Sequence, residues 1–223
     1  MVTIPFFPGT NCERDTQYAV NLLGAKSEVI WHKETTLPPE TKLVIVPGGF
    51  SYGDYLRSGA IAHFSPIMQA IKAFAANGGY VLGICNGFQI LLESAMLPGA
   101  MKRNENLHFV SEWVNLKVEN SHNALLHCCN DEQIVSMPVA HAEGNYFCDD
   151  TTLSQLKAKN QIILTYADKN INGSIESIAG ICDVNKKVFG LMPHPERAIE
   201  PTLQGTDGAL LLKSILRSSE CIS

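Results

Sequence analysis

The stretch "YVLGICNGFQIL", residues 80–91, joins two apolar runs through a corner of small residues. The first run predicts a buried strand, and the apolar residues after Asn86 predict a helix. Gly83 and Gly87 have no side chains, so the strand and the helix can cross closely on either side of Cys85. This pattern is typical of a nucleophile elbow, in which the strained central residue projects its side chain clear of both elements.

A thiol at this corner faces the positive end of the helix dipole, which favours the thiolate. The alternative is a buried structural cysteine in a tight turn, and the spacing alone leaves both open. The seven cysteines lie at positions 12, 85, 128, 129, 148, 182 and 221. Their odd number, in a chain of this size without a recognisable signal peptide, favours a reduced, cytoplasmic compartment. An unusual cysteine there is a candidate for chemistry.

Short apolar runs alternate with helical patterns in the first hundred residues. Strands are predicted at 27–32, 43–47 and 79–84, and helices at 12–23, from Pro66 to about Gly78, and from about Asp207 to Arg217. Ser65 is the expected N-cap of the second helix, and Pro66 suits its first turn. This alternation predicts a mainly parallel sheet covered by helices on both faces.

The second half of the chain has patterns typical of antiparallel strands. Residues 110–118 alternate with period 2, as a half-exposed strand does. Further strands are predicted at 124–129, 134–140, 161–166 and 187–192. We therefore expect a mixed sheet with antiparallel strands beside a parallel core. Pro5 lies inside the first apolar run and conflicts with a central strand there, because proline cannot donate to a ladder.

Composition argues against several classes of function. The chain has 223 residues and a formal net charge of −5, which disfavours nucleic-acid and anionic-membrane partners. No apolar run has the length of a membrane span. The sequence contains neither G-x-x-x-x-G-K-[ST] nor G-x-G-x-x-G, the recognised nucleotide cradles. His122, His127, Cys128 and Cys129 match no established zinc spacing, and we predict no metal site.

A cysteine nucleophile needs a base and usually a group that orients the base. Of the seven histidines, only His194 in "GLMPHPERA" has a carboxylate held near it by backbone chemistry. Two prolines favour an extended segment, in which Glu196 points the same way as His194 and can select its tautomer. A rigid loop with a surface ion pair is the alternative.

Backbone donors for an oxyanion are expected beside the cysteine. Gly48 and Gly49 follow a buried strand and can turn N–H groups toward a developing negative charge. The N–H of Asn86 would supply a second donor. A simple strand-to-helix turn is the alternative for the Gly-Gly pair.

At these residues the sequence resembles a known family. The "GICNGFQ" corner, the "PGG" loop and the "PHPE" segment are similar to those of class I (triad) glutamine amidotransferases. The segments "PGTNCERD", "PGGFSYGDYLRSGAIA", "LPGAMKRNENLHFVSEWV" and "AHAEGNYF" are more specifically similar to the small glutaminase subunit of phosphoribosylformylglycinamidine synthases. The resemblance spans nearly the whole chain. It implies a single domain over residues 1–223, folded as an α/β three-layer sandwich with a mixed, mainly parallel sheet and helices on both faces.

The resemblance also implies roles for individual residues. Cys85 would be the nucleophile, His194 the general acid and base, and Glu196 the group that orients the imidazole. The N–H groups of Gly49 and Asn86 would form the oxyanion hole.

Three further residues are implied in substrate binding. Gln89, one helical turn past the cysteine, would help to hold the α-amino end of glutamine. The backbone around His141 and Glu143 would line the glutamine pocket or the partner interface. Without the resemblance, His141 is more simply interpreted as a core or loop histidine.

The implied reaction is hydrolysis of L-glutamine to glutamate and ammonia. The ammonia would pass to a large synthetase subunit that converts formylglycinamide ribonucleotide to the amidine. ATP and Mg would bind that subunit, so no cofactor is expected in this chain, and the complex would form with or without a third small subunit. A free-standing γ-glutamyl hydrolase and a catalytically silent scaffold are the alternatives.

The chain departs from the family pattern at a few positions. Ala142 stands where the family usually has glycine, and the segments 120–129 and 167–174 are atypical. These departures leave the three predicted catalytic residues unchanged.

Overall fold

The computed structural model describes all residues from Met1 to Ser223. Its strands, in chain order, are β1 (Val2–Phe6), β2 (Ser27–Trp31), β3 (Leu43–Val46), β4 (Tyr80–Ile84), β5 (Ala100–Lys102), β6 (Val110–Val118), β7 (Ile134–His141), β8 (Asn145–Phe147), β9 (Ile162–Tyr166), β10 (Ile178–Cys182) and β11 (Val188–Leu191). Its α-helices are α1 (Glu13–Leu22), α2 (Pro66–Ala76), α3 (Asn86–Glu93), α4 (Asp150–Ala158) and α5 (Gly208–Ser218).

Nine strands form one sheet in the order β2-β1-β3-β4-β11-β10-β9-β6-β7. Neighbours pair in parallel from β2 to β11 and antiparallel from β11 to β7. Two successive antiparallel pairings restore the original direction, so only β10 and β6 run opposite to the others. The predicted mixed, mainly parallel sheet is therefore confirmed. Strands β5 and β8 pair separately.

The connections cover both faces of this sheet. The chain moves from β1 to β2 in one direction along the sheet and from β3 to β4 in the other. Because crossovers between parallel strands are right-handed, α1 and α2 lie on opposite faces. One cluster of buried apolar residues extends from Val2 to Leu216 and draws on both halves of the chain. None of the helices combines the length and apolar composition that crossing a membrane requires.

The predicted strand at 124–129 is wrong, because this segment forms consecutive turns. The side-chain oxygen of Asn123 accepts the N–H groups of Leu125 and Leu126, at 2.9 and 3.1 Å. An asparagine that captures nearby backbone donors offers the chain an alternative to a strand ladder. The turn is therefore a local effect that the apolar pattern conceals.

The predicted N-cap position of α2 is confirmed, whereas the expected side-chain capping bond is absent. Ser65 occupies the N-cap position, but its hydroxyl makes no capping bond. It lies instead 3.2 Å from Nδ1 of His32 and 3.1 Å from the hydroxyl of Tyr52. A tertiary contact has replaced the local one.

Pro5 lies in β1 although β1 has neighbours on both sides. Its position pairs with Ile30 of β2, whereas the ladder between β1 and β3 ends at Thr3. The second ladder thus stops before the residue that lacks an N–H donor. The expected conflict is resolved by a short β3 pairing.

Candidate active site

Cys85 joins β4 to α3 in a strained conformation, with φ of 50° and ψ of −108°. Few residues with a side chain adopt positive φ, and such strain clusters at functional sites. The N–H of Cys85 donates to the Leu191 carbonyl at 2.8 Å. A Cβ on Gly83 would come within 2.7 Å of the carbonyl of Gly87, and one on Gly87 would overlap the carbonyl oxygen of Val46. Only glycines therefore allow this corner to close.

His194 and Glu196 form a buried pair after β11. Nδ1 of His194 lies 2.6 Å from Oε1 of Glu196, and both side chains are almost completely buried. Burial lowers the pKa of His194, but the negative charges of Glu196 and Cys85 outweigh this effect and raise it well above its ordinary value. Nε2 of His194 has no partner within the chain. This nitrogen is available to exchange a proton with a neighbouring group.

The route by which Glu196 reaches the imidazole differs from the extended geometry that we predicted. Residues Pro195–Arg197 form a short 3-10 helix, which begins directly after His194. The two prolines do restrict the segment, but the tight turn brings the carboxylate back to Nδ1. The contact was correctly predicted from an incorrect backbone shape.

The loop after β3 packs directly on these residues. A Cβ on Gly48 would lie 2.8 Å from Cε1 of His194 and 3.4 Å from Cβ of Cys85. Gly49 has φ of 134° and forms an isolated antiparallel β-bridge with Thr10. The N–H groups of Gly49 and Asn86 donate to no acceptor in the chain, which is normal for Asn86 at the start of a helix. Two free backbone donors therefore flank the cysteine.

A cavity of about 360 Å³ opens over Cys85. Its wall includes the predicted residues Gly49, Gln89, His141 and Glu143 together with Asp54, Ser58, Arg103 and Leu107, which the sequence analysis did not select. A larger cavity of about 480 Å³ is lined by Asp15, Glu196 and Arg197, and another of about 810 Å³ lies apart from these residues. Of these three cavities the smallest is the relevant one, because it is lined by the strained cysteine.

Gln89 and Glu143 are tied to other parts of this wall. Nε2 of Gln89 donates to the Glu143 carbonyl at 2.5 Å, and its Oε1 accepts from the side chain of Asn86 at 2.8 Å. Oε2 of Glu143 accepts the N–H of Ser58 at 3.1 Å, and its Oε1 lies 4.0 Å from Nε of Arg103. Gln89 thus fastens α3 to the loop after β7.

His141 is a buried wall residue. Its Nδ1 lies 3.1 Å from Oδ1 of Asn104, and its Nε2 has no partner in the chain. Burial and the charge of His194 lower the pKa of His141 to about 4, so the ring is neutral near pH 7. Ala142 next to it does not adopt positive φ. The turn therefore accommodates alanine without backbone strain.

Asp54 is the acidic wall residue that the sequence analysis missed. Burial raises its pKa to about 6, opposed by a hydrogen bond from Ser58 and assisted by the charge of Glu143. Its Oδ1 also accepts from the side chain of Asn86 at 3.3 Å. The one feature of the sequence that could have identified Asp54 is its position in the polar loop that follows Gly49.

Two more residues lie behind the His–Glu pair. The sulphur of Cys12, one ring nitrogen of His194 and one carboxylate oxygen of Glu196 lie within 4.8 Å of one another. Nη2 of Arg197 lies 3.2 Å from the Cys12 sulphur and 3.0 Å from Oδ2 of Asp15. The sequence assigned no partner to Cys12, because 185 positions separate it from Arg197.

The residues considered for zinc do not form a group of potential ligands. His122 lies near Asp131, at 3.7 Å, and His127 lies 3.4 Å from the hydroxyl of Ser218. These are the polar contacts of ordinary loop residues.

A strained cysteine at the end of a strand, a buried His–Glu pair and free backbone donors, all at one edge of a mainly parallel sheet, are the arrangement of triad amidotransferases. Comparison with known proteins agrees. The family model described as a CobB/CobQ-like glutamine amidotransferase domain matches residues 1–207.

The relatives are similar over nearly their whole length. Phosphoribosylformylglycinamidine synthase subunit PurQ of Helicobacter hepaticus is 57% identical over 98% of both chains. The PurQ subunit of Wolinella succinogenes is 59% identical over 94% of this chain and 96% of its own. A chain in the structure of PurLQS from Thermotoga maritima superposes with a TM-score of 0.89 at 38% identity, over 97% of both chains. The chain therefore belongs to the glutamine amidotransferase family, within its PurQ group.

Proposed function

We propose that this chain is the glutaminase subunit of a phosphoribosylformylglycinamidine synthase. It hydrolyses L-glutamine and delivers ammonia to a large synthetase subunit, which makes formylglycinamidine ribonucleotide for purine biosynthesis. The observation that carries this proposal is the strained Cys85 beside the buried His194–Glu196 pair in a chain 57% identical to a PurQ subunit. ATP and Mg belong to the synthetase subunit, and the reaction takes place in the cytoplasm.

The first chemical step forms a thioester. The Cys85 sulphur attacks the amide carbon of glutamine, and the N–H groups of Gly49 and Asn86 hold the oxyanion. His194 then protonates the departing ammonia through Nε2. The raised pKa of His194 supports this step, because the imidazolium is the form that donates a proton.

The second step releases glutamate. His194 has given up its proton and removes one from water, which attacks the thioester carbon. The C–S bond then breaks, glutamate is released, and Cys85 leaves as the thiolate beside the newly protonated His194. Throughout both steps the carboxylate of Glu196 accepts the hydrogen of Nδ1 at 2.6 Å. This bond keeps Nε2 directed to the reacting atoms, which is the role of the third residue in a triad.

The cavity wall matches the two charged groups of the amino acid. The carboxylates of Asp54 and Glu143 suit the α-ammonium, and the exposed guanidinium of Arg103 suits the α-carboxylate. Both polar ends of Gln89 bond within the chain. We therefore assign Gln89 to shaping the wall, with the charge recognition left to Asp54 and Glu143.

A partner surface surrounds the mouth of the cavity. Tyr55, Leu56 and Leu107 are 75%, 88% and 76% exposed, and Phe50 is partly exposed beside them. Leu56 and Leu107 also have positive φ. Strained apolar residues gathered at an open active site are typical of a surface that a partner covers. Docking of the synthetase subunit here would close the cavity and exclude water. The similarity to a chain of PurLQS from Thermotoga maritima supports a complex that also includes a third small subunit.

The test is to purify the complex with wild-type chain and with Cys85→Ala. The variant should lose synthesis from glutamine and keep synthesis from added ammonium salt, because the ATP-dependent site is on the other subunit. A γ-electrophilic glutamine analogue should label the wild-type chain at Cys85. Labelling mainly at another cysteine, or product formed from glutamine by this chain alone with ATP, would contradict the proposal.

A further inference from the structure

We propose that Arg197 is a positioning residue: held in place by Asp15 and separated from the buried pair by Cys12, it keeps Glu196 ionised and in place when His194 loses its proton. This inference rests on the proposed function, because it concerns the same catalytic cycle. It assigns a task to a cluster that lies behind the pair rather than in the glutamine cavity.

The need for a second cation follows from the burial of Glu196. Its Oε1 bonds His194, whereas its Oε2 is buried without any partner. A buried carboxylate is stable only when it is compensated. In the thioester step His194 carries a positive charge that compensates Glu196. After His194 has protonated ammonia, that compensation is lost, and a carboxylate without another cation would tend to take up a proton.

Arg197 is fixed where it can provide that charge. Nε and Nη2 of Arg197 lie 3.1 and 3.0 Å from one oxygen of Asp15, and Nη2 lies 3.2 Å from the sulphur of Cys12. Burial lowers the pKa of Arg197, but Cys12, Glu196 and Asp15 together raise it. The guanidinium therefore stays charged through the whole cycle.

Cys12 lies between Arg197 and the buried pair as a neutral thiol. Burial, reinforced by the charge of Glu196, raises the pKa of Cys12 far above its ordinary value, although Arg197 opposes the shift. The thiol hydrogen is directed to Oδ1 of Asn11 at 3.2 Å, so the sulphur presents its lone pairs to Arg197. Cys12 is thus a spacer between the guanidinium and the buried pair.

A metal ion is a weaker interpretation of the same cluster. Cys12, His194 and Glu196 include the atom types that bind zinc. However, the sulphur already accepts from Arg197, and a divalent cation would lie beside the positive guanidinium. Nδ1 of His194 also bonds Glu196 at 2.6 Å. The positive charge of Arg197 therefore favours its role as a positioning residue over a metal site.

The experiment compares four variants in the assembled complex, with glutamine hydrolysis measured from pH 5 to pH 9. Arg197→Met removes the charge and should lower kcat about 10- to 100-fold, as small misplacements of catalytic groups do. KM should stay within about threefold, because Arg197 does not line the glutamine cavity. Removing a nearby cation disfavours the ionised form of a carboxylate, so the acid limb of the kcat–pH profile should move to higher pH.

Arg197→Lys keeps the charge and loses the planar fork. It should recover part of kcat and leave the acid limb near that of the wild type. Asp15→Asn removes a competing negative charge and should move the acid limb to lower pH. The control is Arg14→Met, an exposed arginine of α1 that bonds only Gln17, and it should behave as wild type.

Two results would overturn the inference. One is an Arg197→Met profile that superposes on the wild type. The other is an acid limb of the kcat–pH profile that moves to higher pH by the same amount in Arg197→Met, Arg197→Lys and Asp15→Asn. That result would indicate a loosened fold and no charge effect. A wild-type complex that fails to hydrolyse glutamine would instead refute the proposed function, so the two failures are distinguishable.

Discussion

Gly48→Ala should damage catalysis without altering any catalytic residue. Gly48 does not have positive φ, so the backbone tolerates alanine and only space opposes it. The added Cβ would lie 2.8 Å from Cε1 of His194, 3.3 Å from the sulphur of Cys12 and 3.4 Å from Cβ of Cys85. Carbon atoms in contact prefer about 3.5 Å. The imidazole must therefore move by about 0.7 Å, and it cannot do so without disturbing its 2.6 Å bond to Glu196.

The size of the effect follows from this displacement. Overpacking of this kind costs about 1–3 kcal/mol of stability. A misplacement of about 1 Å in a catalytic group costs about 100-fold in rate, so we expect kcat to fall about 10- to 100-fold. KM for glutamine should change less than about threefold, because Gly48 is not part of the glutamine cavity wall.

The assay is steady-state glutamine hydrolysis by the assembled complex, with thermal unfolding measured in parallel. Gly78→Ala is the matched control, because its Cβ would meet nothing within 4 Å although its φ is +88°. That variant should lose stability and keep kcat. A Gly48→Ala enzyme with wild-type kcat would refute the reasoning, since it would mean that the imidazole tolerates the displacement.

Three further outcomes are expected. His194→Ala should abolish thioester turnover, whereas Glu196→Gln should retain a measurable remainder in single-turnover assays, because it only orients the imidazole; equal activities would contradict these roles. Because the pKa of Asp54 is raised to about 6 and its ionised form suits the ammonium of glutamine, KM should fall as pH rises from 5 to 7; Asp54→Asn should have a higher KM that no longer follows this titration. Leu56→Asp on the exposed rim should weaken association with the synthetase subunit in sedimentation experiments and leave thermal unfolding of the isolated chain unchanged, since the side chain is 88% exposed.

The sequence by itself determined the local chemistry of this protein. The corner around Cys85 requires residues without side chains at positions 83 and 87. This constraint is visible in twelve consecutive residues of the sequence. The pairing of His194 with Glu196 is also local, since two positions separate them. Periodic apolar runs likewise predicted most strands of the sheet, because side-chain alternation reflects the faces of a strand.

The tertiary structure decided what depends on contacts between distant segments. The sequence could not predict the turn at 124–129, where one asparagine side chain captures the backbone, or the contact of Ser65 with His32. The burial that shifts the pKa of Asp54 is also set by the assembled wall. Arg197 and Cys12 meet across 185 positions because α1 and the turn after β11 pack together. Local patterns encode backbone geometry, whereas the charges and neighbours that tune a site arise only where separate elements come together.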